Sequence, residues 1–105
     1  MAWFYLLFAG LLEIVWAVSM KQSAGFTRLV PSVLTVVGMI ASFWLLAAAM
    51  RTLPLGTAYT IWTGIGAAGA FVVGIVFLGE QVSAMRIAAA VLIVCGLVLM
   101  KVASP

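Results

Sequence analysis

The chain has 105 residues, 68% of them hydrophobic and 7% charged, with a formal net charge of +3. A mean hydropathy of +1.39 excludes a soluble domain, because a chain this short has too little polar surface to cover so much apolar area. The basic residues lie at the ends of apolar stretches rather than in a cluster, so the surplus of positive charge is no nucleic-acid footprint.

The first apolar stretch, Ala2–Met20, is long enough to cross a bilayer as a helix. It has neither the basic start nor the small-residue cleavage pattern of a signal peptide. It carries one acidic residue, Glu13. At ~1.5 Å per residue that carboxyl sits ~17 Å in, near the bilayer midplane. A carboxylate at that depth costs roughly 2.5–3.5 kcal/mol on insertion scales. A structural ion pair would need a basic residue at the same depth, and the sequence has none. Glu13 is therefore the leading candidate for a cation or proton site. Helical spacing puts Leu6, Gly10, Glu13 and Ala17 on one face, with Trp16 beside them. Gly10 is expected to leave clearance next to the carboxylate, and Trp16 to place an indole face against it.

A loop over Lys21–Pro31 follows, in which Gly25 suits a helix exit and Pro31 the first turn of the next helix. The second stretch, Ser32–Met50, contributes Ser42, a hydroxyl in an apolar run that suits either orienting Glu13 or bonding its own helix. Trp44, like Trp3, reads as a lipid-facing or interfacial anchor. Pro54 and Gly56 break the chain before the third stretch, Ala58–Leu78. Tyr59 and Trp62 lie three apart there and fit either an interfacial belt or a cation-binding wall. Gly64, Gly66, Gly69 and Gly74 allow close backbone approach and also a local bend. The turn GEQVS leads to the fourth stretch, Ala84–Val102, where Ala89, Leu92, Gly96 and Leu99 form a stripe suited to helix contact, between subunits among other options. Cys95 in that stretch is expected to be an inert packing residue.

These stretches predict an all-α membrane protein, one four-helix transmembrane domain over residues 1–105, running up-down-up-down with both termini on one side. The loop charges do not orient it. One side carries Lys21, Arg28 and Arg86; the other carries Arg51, Lys101 and the N-terminal amine. An even balance is what a chain that inserts both ways would show. No enzymatic constellation is present: the chain has no His, a single Cys and no paired carboxylates. The residues offer no metal site, and GIGAAG lies in an apolar helix, unlike a dinucleotide fingerprint.

The stretches GLLEIVWAVSMKQSAGFTRLVPS, ASFWLLAAAM, PLGTAYTIWTGIGAAGA and LGEQ resemble the small multidrug resistance family of bacterial proton-coupled exporters, across essentially the whole chain. The resemblance implies an antiparallel, dual-topology homodimer in the bacterial inner membrane, with two Glu13 carboxylates at one central site. It implies Glu13 as the shared proton and substrate site, lined by Trp16, Ser42, Tyr59 and Trp62, with Gly10 giving clearance. Trp16 directly after EIV, with AYTIWTGIGAAGA, is similar to the subtype that exports guanidinium. The alternative is the multidrug subtype, which exports quaternary ammonium and other lipophilic cations and is also echoed in FWLL. Either subtype implies small organic cations, protons, lipid and a second copy of the chain as partners, with no nucleic acid. Neither needs a cofactor; a proton gradient drives transport.

Overall fold

The computed structural model describes residues 1–104. They form four helices: α1 (Ala2–Gln22), α2 (Leu29–Ala49), α3 (Leu55–Leu78) and α4 (Ala84–Ala103). Each is long and apolar enough to cross a membrane.

Two helices begin earlier than the sequence pattern suggests. α2 starts at Leu29 rather than Ser32, with Arg28 as its extended N-cap (φ −103°). Pro31 is thus the third helical residue, a position where the missing N–H breaks no intrahelical bond. α3 starts at Leu55 behind Pro54, and Gly56 falls inside its first turn. Pro54 ends the preceding turn and takes the N-cap position of α3, where its carbonyl accepts from Ala58 N–H at 3.0 Å but no side chain caps the helix. Gly56 is simply tolerated where few helical bonds depend on it.

The α1–α2 connection is tighter than its glycine alone implies. Ala24, Gly25 and Phe26 all have positive φ (50°, 75° and 66°). The turn is held by the fully buried Ser23. Its hydroxyl donates to the Met20 carbonyl at 2.6 Å and accepts from Phe26 N–H at 3.0 Å. Its carbonyl accepts from Thr27 N–H and Arg28 N–H. These bonds offset the cost of left-handed backbone at Ala24 and Phe26.

α1 lies between α2 and α3, and α4 packs on α3 alone among the helices. The result is a slab of 42 × 34 × 16 Å. Because α2 barely meets α3 and α4 packs on neither α1 nor α2, the helices form an open layer rather than a closed bundle. The core joins Leu6 and Ala9 of α1, Leu46 and Ala49 of α2, and Ala58, Ile61 and Trp62 of α3. These are the halves nearest the α2–α3 turn, so the layer is packed most tightly at that end. Near the same end Lys101 Nζ lies 4.4 Å from the Trp3 ring centroid. That cation–π contact brings the two ends of the chain together, as the up-down-up-down path requires.

α4 has no buried residue. Leu92 and Leu99 of its expected contact stripe are 72% and 68% exposed. Cys95 is also exposed in this protomer. Toward α3, Leu97 lies over Gly64 and Arg86 lies 5.2 Å from the Phe71 ring centroid. Trp44 is exposed, as expected of a lipid-facing residue.

Candidate functional site

α1 supplies the acid. Glu13 lies in the α1–α3 seam, where its carboxyl fills the space that a side chain on Gly66 would take. One carboxyl oxygen, Oε1, is wholly covered and has no hydrogen-bond partner among the described residues. The same holds for the indole Nε1 of Trp16, three residues along the helix. A buried polar group left unpaired costs about 1–3 kcal/mol. A covered acceptor and a covered donor one turn apart mark a place where a polar ligand would complete the hydrogen bonding.

The aromatic groups form a continuous row across three helices. Trp16 meets Phe43 edge to face at 6.3 Å, and Phe43 meets Trp62 in the same manner at 5.7 Å. Trp62 and Tyr59 are tilted at 5.6 Å. Trp62 is buried, whereas Tyr59 is 53% exposed. Phe43, between the two tryptophans, is also 46% exposed, so the row is buried at Trp62 and reaches the surface on either side of it. Trp16 fits closely because α2 has a glycine opposite: a Cβ on Gly38 would lie 3.1 Å from Trp16 Cβ.

Two expected roles turn out differently. Ser42 is fully buried, but its hydroxyl donates to the Ala9 carbonyl of α1 at 2.6 Å and accepts from Trp62 Nε1–H at 3.0 Å. It therefore holds Trp62 and links three helices, and it makes no bond to Glu13. Gly10 gives clearance to a neighbouring helix rather than to the carboxylate, since a Cβ there would lie 2.6 Å from Ile65 Cγ2. Tyr59 and Trp62 belong together, as their spacing suggests.

Sequence reasoning misses Phe43 and Gly66. Phe43 reads as part of an apolar run, yet it bridges the two tryptophans. Its one available signal is its place directly after Ser42. Gly66 reads only as one of a glycine cluster, and nothing in the cluster singles it out as the residue facing the acid.

The arrangement combines one carboxylate, four aromatic rings and few competing donors. It suits a compact cation that is itself rich in N–H groups. Groups of three or more His, Cys, Asp or Glu able to hold a metal ion are absent among the described residues.

A family model described as Small Multidrug Resistance protein matches residues 1–102. The chain is similar to the guanidinium exporter of Escherichia coli (strain K12), at 56% identity covering 99% of each chain. It is 55% identical to the guanidinium exporter of Yersinia pseudotuberculosis serotype I (strain IP32953), covering 99% of this chain and 100% of that one. The guanidinium exporter of Citrobacter freundii is 53% identical, with 99% of each chain covered.

Proposed function

The chain belongs to the small multidrug resistance family, and from that premise we propose that it is a proton-coupled antiporter that exports guanidinium. Glu13 is the site that proton and substrate share. The observation that carries the reading is the covered, unpartnered Glu13 oxygen beside the aromatic row. The names of the full-length relatives support the choice of substrate.

Guanidinium is flat, charged and ringed with N–H donors. A carboxylate accepts two of them in parallel. Trp16 and Trp62 offer π faces to such a plate, and Ser42 fixes Trp62 in place. A proton on Glu13 removes the charge that holds the cation, so each ligand displaces the other. Exchange follows when the protein reorients only with one of them bound. No cofactor takes part, and the energy comes from the proton gradient.

The working unit in this reading is an antiparallel homodimer in the bacterial cytoplasmic membrane. Two opposed copies of one chain supply the inverted repeat on which alternating access relies. Balanced loop charges favour insertion in both orientations. The open layer and the uncovered α4 leave apolar surface for a second copy. Two Glu13 carboxylates then face one central site, with the exposed Tyr59 of each copy at the surface end of its row.

The test uses purified protein in liposomes under a pH gradient. Wild type is expected to move guanidinium against protons, and its affinity for guanidinium to weaken as the pH falls. Glu13→Gln is expected to abolish both binding and exchange. Coupled guanidinium transport retained in that variant would refute the role given to Glu13.

A further inference from the structure

α1 and α3 run parallel and keep an even register. Gly10 meets Ile65, Glu13 meets Gly66 and Ile14 meets Gly69. Toward the α2–α3 turn, the helices close on the packed core around Leu6, Ala9, Leu46 and Ala58. Toward the other end they part. A cleft of about 270 Å³ opens there, lined by Ala17, Lys21, Ala67, Ala70, Gly74 and Glu80 among others. Ala17 is one turn from Glu13 on the same face of α1, and Ala67 adjoins the Gly66 that the Glu13 carboxyl covers. The cleft therefore begins beside the site and ends at Glu80 and Lys21, the latter eight residues or about 12 Å along α1 from Glu13.

Glu80 is the only acidic residue besides Glu13. Its side chain lies back over α3, so that a Cβ on Gly74 would overlap its carboxyl. Gly79, left-handed at φ 67°, turns the chain to allow this, and Glu80 N–H donates to the Gly74 carbonyl at 3.0 Å. That backbone cap sets where Glu80 leaves α3, but it does not favour a carboxylate there. A helix C-terminus carries partial negative charge, and a carboxylate there is unfavourable. The electrostatics of the mouth do explain it. Lys21 lines the same cleft, and Arg28 and Arg86 lie at the same end of the helices. Without Glu80 the mouth would be wholly positive and would repel a cation.

We propose that Glu80 is the outer cation-binding carboxylate of the α1–α3 cleft, through which guanidinium passes between the membrane surface and Glu13. The proposal rests on the reading of Glu13 as the substrate site. Glu80 acts by holding local negative potential where the cation enters or leaves. Small side chains at Ala17, Ala67, Ala70 and Gly74 keep the way clear.

The experiment measures initial rates of guanidinium exchange in liposomes for wild type, Glu80→Gln and Glu80→Asp. Low ionic strength, about 0.01 M, keeps the Debye length near ~30 Å. Glu80→Gln is expected to lower kcat/KM by roughly tenfold with kcat little changed, and Glu80→Asp to recover most of the loss. The deficit should shrink at about 0.15 M salt. A Glu80→Gln kcat/KM equal to wild type at low ionic strength overturns the proposal. So does a fall confined to kcat, which would mark a structural role. Guanidinium binding followed by tryptophan fluorescence in detergent separates the two readings. Wild type that neither binds nor transports guanidinium refutes the export reading and this one with it. Glu80→Gln that binds and transports like wild type refutes the outer site alone.

Discussion

Ser42 shows how much one small side chain can hold in a layer this thin. It joins α1, α2 and α3 through the Ala9 carbonyl and the Trp62 indole. Ser42→Ala removes an acceptor and a donor together and leaves the buried Trp62 N–H unpaired. One such orphan costs about 1–3 kcal/mol. The variant is expected to melt earlier in detergent, and its guanidinium affinity to fall because Trp62 is no longer held. An unchanged melting curve would show that the indole finds another partner. Neither bond is legible in the sequence. Periodicity places Ser42 in an apolar helix and allows it a hydroxyl's usual options. The choice among them depends on which atoms of α1 and α3 come within about 3 Å.

At the scale of helices, the α1–α3 seam is built from side chains set into glycines. The carboxyl of Glu13 covers Gly66 and the side chain of Ile14 covers Gly69, while Leu97 of α4 covers Gly64. α3 is one unbroken helix from Leu55 to Leu78, and these contacts account for its glycines as packing surface. Gly66→Ala should therefore act through Glu13. The added methyl overlaps the carboxyl, and overpacking of this kind costs about 1–3 kcal/mol. Helical content by circular dichroism is expected to stay near wild type while guanidinium binding is largely lost. Binding at wild-type strength would mean that the seam widens without moving the acid. The glycine cluster is legible in the sequence as a close-packing face. Its pairing with Glu13 is not, because it depends on the relative rotation and offset of two helices.

At the scale of the molecule, the layer is closed at one end and parted at the other, and α4 is left with no buried residue. Such a protomer has more apolar surface than its own contacts cover. The loop charges balance when Lys21, Arg28 and Arg86 are set against Arg51, Lys101 and the N-terminal amine. Single reporter cysteines placed in the first and second loops are expected to be labelled from both sides of the membrane, each on about half of the molecules. Labelling from one side only would remove the antiparallel homodimer from the proposed mechanism. An added lysine in the second loop is expected to bias insertion one way and to reduce exchange when that variant is expressed alone.

Hydropathy and helical period are local properties, and they determined four spans, the place of Glu13 midway along the first and the aromatic pair at Tyr59 and Trp62. They also put Gly10, Glu13 and Trp16 on neighbouring positions of one helix. What those positions face was decided only when the helices met. Gly10 received Ile65, Ser42 turned to Ala9 and Trp62, and Phe43 entered between the tryptophans. Glu80, in sequence a loop residue, came to lie in the cleft that begins beside Glu13. A helix can rotate about its axis and slide by a turn while keeping every local preference satisfied. The register is selected instead by the summed fit of side chains against glycines along the whole seam, and that sum exists only in the assembled fold.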